Sequence, residues 1–552
     1  MMLCVSSISG CFEIMPMSDE PEEVNIMSRH QSPALKHLVE IEKYVNALPD
    51  LYKGPGGAVA VIQDGEVVLK QCWGYADLAS RREIKPDTRF AICSVTKQFT
   101  CATLLDAIGE PEVLDAAFAK FFHDFKDELP TVRELCNNQS GLRDYWALTV
   151  LCGADPEGEF LPDDARKLLK RMQHVQFLHG TEYSYNNGNF RIVDELIEQH
   201  TGRSLIDLMR ERIFEPAKMP SAELRPNTGT FTDCVGYVGD IVTGFKPANN
   251  RIHWSGDAGM VASLEDMIAW EVFIDKTRDD ENGIYRRLSR PQPFADGSAS
   301  PYTMGLKYAQ AGAYRLNGHG GALNGWRCQR FYSPDTRLSA VILFNHESSA
   351  YAACLELMRV ALGEAKAADD VAPVPVDAAW YGDYLDERTG LSITLSKASE
   401  GQMKCRLGTS AEMVRLSSDT EATNGLTSLK RDGDIVHLRR DAEKLVLSCQ
   451  KLVKTETPNI CGRYYCGELD AAVVVEKVGT AFYAAFEGFL GKSNMQPVYY
   501  AGGDVWLLPC QRSMDAPAPG DWTLVFQRDA QGNIAGIRVG CWLARNLNYR
   551  KI

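Results

Sequence analysis

Ser94-Val95-Thr96-Lys97 sets a hydroxyl and an amine three residues apart in a stretch that reads as the start of a helix. Residues three apart share a helix face, so the Lys97 amine reaches the Ser94 hydroxyl. A serine is a weak nucleophile at neutral pH until a neighbour takes its proton, and the chemistry this spacing offers is acyl transfer on Ser94. The four-residue pattern is short enough to arise by chance, with a helix-capping serine and a solvated lysine as the plain alternative. Its surroundings argue for use. Phe90-Ala91-Ile92-Cys93 is apolar and Gln98 to Leu105 carries apolar residues at helical spacing. Lys97 therefore falls in a mostly buried helix, where an ammonium is avoided unless it has a task.

A serine and a lysine need a second proton carrier and donors for the carbonyl oxygen. Tyr183-Ser184-Tyr185-Asn186-Asn187-Gly188-Asn189 leads into an apolar, helix-period stretch, a second loop-to-helix junction. Tyr185 relays protons if neighbouring cations lower its pKa, and the Asn187 amide can bind both Lys97 and a substrate carbonyl. Leu316-Asn317-Gly318-His319-Gly320-Gly321-Ala322 precedes a strand at Trp326 to Phe331, and its glycines let a ligand approach a strand edge closely. Taken singly, Tyr-x-Asn and a histidine beside glycines carry little weight.

The elements that must hold these groups begin with a helix over residues 32–51, from the spacing of Leu35, Leu38, Ile41, Tyr44, Val45 and Leu48. A hairpin follows, Gly57 to Ile62 and Val67 to Tyr75 around an Asp64-Gly65 turn. With the Ser94 helix this is an α+β opening, continued by helical segments to about residue 363. Residues 364–378 are rich in Ala, Asp and Pro and read as a linker. Beyond them, short alternating strands separated by turns predict antiparallel β domains. Trp380-Tyr381-Gly382-Asp383-Tyr384 and Ile460-Cys461-Gly462-Arg463-Tyr464 echo one another, so two related barrels are expected at 379–453 and 454–552, with one larger β-sandwich as the alternative. The full division is an extension expected to be disordered at 1–30, with Met17 or Met27 as candidate starts, then a catalytic domain at 31–363, the linker and the two barrels.

A length of 552 residues calls for two or three domains. A net charge of −14 without long basic runs argues against nucleic acid or an anionic membrane as partner. No stretch reaches the roughly 18 apolar residues of a membrane span, and residues 1–16 lack the Lys or Arg of a signal peptide. The 16 cysteines are scattered with no Cys-x-x-Cys, which points to reduced thiols and a cytoplasmic location.

In order along the chain, Ser-x-x-Lys, Tyr-x-Asn and His-x-Gly resemble the three motifs of the penicillin-recognising serine enzymes. Tyr185 in the second motif is similar to the class C β-lactamase branch. His319 in the third, where others carry Lys, is similar to the D-aminopeptidase and esterase relatives. Cys136 to Tyr145, and Ala258 to Ser263 with Asp266 and Trp270, also resemble that branch. Tyr52 to Gly57, Ile92 to Thr100, Asn138 to Trp146 and the two barrels resemble the D-stereospecific aminopeptidases from about residue 32 onward.

This resemblance implies a β-lactamase/transpeptidase-like domain, an antiparallel sheet flanked by helices, followed by two antiparallel eight-stranded β-barrels. It implies that Ser94 attacks the carbonyl and that Lys97 and Tyr185 handle the proton, with the choice of base left open. It puts the oxyanion between the N–H groups of Ser94 and of the strand near Gly321 or Ala322. It places Asn187, His319 and Gly321 at the substrate, a neutral His319 removing repulsion of a substrate ammonium. It assigns a loop of the last barrel, Gln511-Arg512-Ser513-Met514-Asp515-Ala516-Pro517-Ala518-Pro519-Gly520-Asp521, to the cleft, with Asp515 meeting that ammonium. The implied substrates are small peptides, amides or esters with a free N-terminal D-residue, D-alanine preferred; β-lactams are implied inhibitors, a homodimer the implied assembly, and no metal or cofactor is needed. Lys307 departs from the pattern, a cation where the resemblance implies Asn. Two competing readings are an esterase or D,D-carboxypeptidase on the same residues, and a peptide-binding protein without catalysis.

Overall fold

Alternate residues of Gly56–Gln63 enter two different cores, and this fixes the architecture. Ala58, Ala60 and Ile62 face one apolar cluster, while Val59 and Val61 face another, so the strand lies in a sheet covered on both sides. The computed structural model describes residues 33–227, 231, 233–364, 374–399, 401–408, 411–510, 513–515 and 520–552. The expected extension at 1–30, linker residues 365–373, and Gln511, Arg512, Ala516, Pro517, Ala518 and Pro519 lie outside the described residues.

The sheet comprises β1 (Gly56–Gln63), β2 (Glu66–Asp77), β3 (Arg82–Glu83), β4 (Tyr302–Thr303), β5 (Leu306–Ala311), β6 (Tyr314–Leu323), β7 (Trp326–Ser333) and β8 (Leu338–Phe344), in spatial order β3-β2-β1-β8-β7-β6-β5-β4. Every described pairing is antiparallel. The Asp64-Gly65 turn has φ of 55° and 76°, the positive values that a tight hairpin turn needs. On one face pack helices α1 (Leu38–Leu51) and α5 (Ala350–Leu362). On the other lie α2 (Thr96–Ala107), α3 (Asn187–Thr201) and α4 (Leu264–Thr277). Helix α2 is buried without being amphipathic: Thr96 through Leu105 are all buried, polar and apolar alike, as befits a helix enclosed on every side.

One expectation needs correction. The helix read over 32–51 is two pieces, Pro33–Lys36 and Leu38–Leu51. Ile41, Val45 and Leu48 are buried, but Leu35 is 55% exposed because Ala34 takes the inward place there.

Beyond Leu362, strands from Gly382–Asp386 to Leu445–Lys451 close into an eight-stranded barrel. A second ring runs from Gly462–Cys466 to Ala544–Lys551; pairing of Ala471–Val478 with Ala481–Gly488 closes it, and the short strand Gly491–Lys492 is appended. The two share a device. Tyr384 Oη donates to Trp380 O and Tyr464 Oη to Ile460 O, each at 2.8 Å and each across four residues. The sequence echo is thus a repeated buried contact. Both barrels dock on the catalytic domain: Asp144 N donates to Leu543 O at 3.0 Å, and Tyr183 N to Glu443 O at 3.0 Å. The described cysteines are free thiols, most of them buried.

Candidate active site

Ser94 sits in a single 3-10 turn, Cys93–Val95, that runs into α2. Cys93 carries a φ of 51°, a left-handed value that a side chain adopts only where its surroundings impose it. Those surroundings are explicit. Thr96 Oγ1 donates to Cys93 O at 2.6 Å and accepts from Met260 N at 3.0 Å, while Ile92 N donates to Met260 O at 3.0 Å.

One turn on, the Lys97 ammonium is fully buried and donates to Ser94 Oγ at 3.1 Å, Asn187 Oδ1 at 2.9 Å and Asp257 O at 2.6 Å. None of the three acceptors is a carboxylate. Burial lowers the Lys97 pKa to about 8, against the pull of Asp257 and Asp144. The Asn187 amide is fixed at its other end, where Nδ2 donates to Asp144 Oδ2 at 2.9 Å. Burial pushes the Asp144 carboxyl up to about 6.

Tyr185 stands against the same pair. Its hydroxyl shares a hydrogen bond with Ser94, yet burial holds its pKa well above the ordinary tyrosine value. Its ring carries two ammonium groups, Lys97 Nζ at 4.9 Å and Lys307 Nζ at 5.3 Å from the centroid. The His319 ring lies 6.1 Å away. His319 Nδ1 faces Gly320 O at 2.5 Å, which only accepts, so Nδ1 carries the hydrogen and Nε2 accepts from Tyr302 Oη at 3.0 Å. That is a neutral imidazole. Burial, then Lys307 and Lys97, hold its pKa well below the ordinary histidine value.

The strand bearing His319 has a free edge beside Ser94. Strand β5 pairs with β6 only as far as Lys307 opposite Gly318, so residues 319–323 have a described partner only in β7. Gly321 is where β6 meets the Cys93–Val95 turn. A methyl there would lie 2.3 Å from Ile92 O and 2.9 Å from Cys93 Cβ, so glycine alone permits the approach.

The sequence brings Ser94, Lys97, Tyr185, Asn187, His319 and Gly321 to one cluster. Asp515 is differently employed from what its expected role suggests. It is 1% exposed, and its carboxylate accepts from the backbone N–H of Arg251 at 2.6 Å and from that of Ile252. Its own carbonyl accepts from Asn324 N at 3.0 Å, and Met514 O accepts from Trp146 Nε1 at 2.8 Å. Ser513–Asp515 is thereby fastened to the catalytic domain. An ammonium at this carboxylate has to share it with two amides.

Four further participants carry no local sequence signal for their roles: the Asp257 carbonyl, Asp144 behind Asn187, Tyr302 behind His319, and Glu443. Glu443 comes from the turn Asp441–Glu443 of the first barrel. It is 2% exposed, its Oε2 is ion-paired with Arg440 Nη1 at 3.6 Å, and its charge also acts on Lys307.

Known proteins carry the same assembly. Residues 41–364 match the beta-lactamase family and residues 373–550 the family described as D-aminopeptidase, domain B. A D-aminopeptidase of Brucella anthropi is 58% identical over 515 residues, covering 93% of this chain and 99% of the relative. One of Brucella canis is 57% identical over 517 residues, covering 93% and 99%. Among solved structures, the octameric penicillin-binding protein homologue from Pyrococcus abyssi aligns with a TM-score of 0.50 at 17% identity, over 86% of this chain and 99% of that one, a likeness of fold. With the Ser94–Lys97–Tyr185 cluster on this frame, the chain belongs to the D-aminopeptidase family of β-lactamase-like serine hydrolases.

Proposed function

We propose that this chain is a serine D-aminopeptidase that releases an N-terminal D-residue, D-alanine preferred, from small peptides, amides and esters through an acyl-enzyme on Ser94. The observation that carries the reading is the buried Lys97 ammonium at 3.1 Å from Ser94 Oγ with no carboxylate among its hydrogen-bond acceptors. An amine whose pKa lies near 8 is neutral in part at physiological pH and can take the serine proton. Tyr185 is shifted the other way and keeps its proton. The directions assign Lys97 as base and Tyr185 as acid. Ser94 Oγ bonds the carbonyl carbon as its proton passes to Lys97. The C–N bond then breaks, the departing nitrogen takes the Tyr185 proton, and Lys97 returns one to Tyr185. Water next attacks the ester, giving its proton to Lys97, which passes it to Ser94 Oγ as the ester C–O bond breaks and the acid leaves.

N–H groups of Ser94 and of the free edge near Gly321 or Ala322 receive the oxyanion in this reading; removing one such donor typically costs about 3 kcal/mol of transition-state stabilisation. Asp515 meets the substrate amine, or holds in place the loop that does. The free thiols suit the reducing cytoplasm. A homodimer and acylation by β-lactams follow from the sequence resemblance. The test is hydrolysis of D-alanine and L-alanine anilides alongside a short ester. Turnover of the D-anilide, lost in Ser94→Ala, is the expected result. Ester turnover without D-anilide turnover would assign an esterase instead.

A further inference from the structure

We infer that Lys307 holds the carboxylate of the departing amino acid, so that the favoured substrates are short D-aminoacyl peptides whose leaving residue has a free C-terminus. The inference rests on the D-aminopeptidase reading and narrows its substrate class.

Lys307 stands at the mouth of the free strand edge. It lies opposite Gly318 on one side and Tyr302 on the other, next in register to His319. Its ammonium is over the Tyr185 ring at 5.3 Å from the centroid. Tyr185 bonds Ser94 and is the group that gives its proton to the departing nitrogen, so the ring marks the side of the cleft along which the leaving group runs. In a dipeptide the carboxylate carbon is two bonds from that nitrogen. The long, flexible lysine stem brings a point charge within its reach.

The other cations nearby are committed. Lys97 is held by three acceptors, and His319 is neutral with both ring nitrogens engaged. Lys307 is partly exposed, and its ammonium makes no hydrogen bond or ion pair with another described residue. Burial lowers the Lys307 pKa and the Glu443 carboxylate acts against that; Glu443 Oε2 is itself ion-paired with Arg440 Nη1 at 3.6 Å. Glu443 offsets part of the repulsion between two ammonium groups that flank one ring, and it does so without occupying Lys307. A cation maintained in this way, facing the leaving-group side, fits an anion that the substrate brings. A peptide amide or an anilide brings none. A charge-assisted hydrogen bond of this kind is worth about tenfold in binding or more.

The experiment compares kcat/KM for D-alanyl-glycine with that for D-alanyl-glycine amide, in the wild type and in Lys307→Gln and Lys307→Arg. The wild type should favour the free acid by about tenfold or more, and the preference should shrink as ionic strength rises. Lys307→Gln should bring the ratio near one, and Lys307→Arg should keep most of it. If both peptides are cleaved with a ratio near one in the wild type, or the ratio survives in Lys307→Gln, the role of Lys307 is overturned and the aminopeptidase reading stands. Cleavage of neither overturns both. The wild-type ratio and its salt dependence need no variant to fold.

Discussion

Lys97 donates to the backbone carbonyl of Asp257 at 2.6 Å, while the Asp257 carboxylate turns away to the Tyr145 hydroxyl at 2.7 Å and the amides of Ser255 and Ala258. The nearest aspartate therefore orients Lys97 without forming an ion pair with it. A direct carboxylate partner would hold Lys97 protonated and useless as a base. A carbonyl leaves the amine aimed at Ser94 and free to lose its proton.

From this follows a pH profile. Lys97 has its pKa lowered to about 8, so the neutral base grows as pH rises through that value. On the substrate-saturated enzyme kcat should climb roughly tenfold per pH unit well below 8 and level above it. A kcat flat from pH 6 to 9 would remove Lys97 as the base. Burying this ammonium also costs folding free energy, fully below about pH 8 and less as pH rises toward the ordinary lysine range. Lys97→Met should thus abolish turnover yet melt no lower than the wild type at pH 6.5.

The two glycines after His319 should respond differently to one methyl group. At Gly321 a Cβ meets the Ile92 backbone oxygen at 2.3 Å, whereas at Gly320 it meets the movable tip of Gln329 at 2.4 Å. Gly321→Ala should cost about 1–3 kcal/mol of stability and, by moving the strand off the nucleophile turn, about a hundredfold in kcat. Gly320→Ala should be milder on both counts. Thermal melts and steady-state rates decide it.

Asp515→Ala separates two roles. If the carboxylate chiefly fastens the loop to Arg251 and Ile252, limited proteolysis should cut between residues 509 and 521 much faster than in the wild type. Its loss then raises KM for D-alanine amide through loop disorder. If the carboxylate chiefly binds the ammonium, KM rises with proteolysis unchanged. The two amide bonds lead us to expect the first pattern.

Behind the site, Arg330 and Glu271 form an ion pair with both side chains fully buried, Nη2 to Oε2 at 2.8 Å, and Tyr285 and Ser339 complete it. Arg330 lies opposite His319 in the sheet. Arg330→Met should cost about 3–5 kcal/mol, because it leaves a buried carboxylate unpaired. Removing both charges together should cost less than the two single changes added, as denaturant melts of the cycle would show.

Much of this was legible in the chain because it is local. Ser94 and Lys97 share a helix face, Asp64-Gly65 is a hairpin turn, and the echo of Tyr384 and Tyr464 reflects one hydrogen bond made twice. What could not be read joins residues far apart in sequence. Asp257 reaches Lys97 through its carbonyl, a group every residue has, so no pattern marks it. Tyr302 finds His319 only because β4 and β5 fold beside β6. Glu443 belongs to the first barrel, whereas only a loop of the last barrel was expected to reach the cleft. Asp515 was legible as an acidic tip; its partners, two backbone amides, were not.

The account stands most directly on the covalent step. Intact-mass analysis of acid-quenched enzyme mixed with D-alanine methyl ester should show a gain of one alanyl residue, mapping to the peptide that contains Ser94, present in the wild type and absent in Ser94→Ala. Turnover of the ester with no adduct at any quench time, or an adduct that persists in Ser94→Ala, would contradict it.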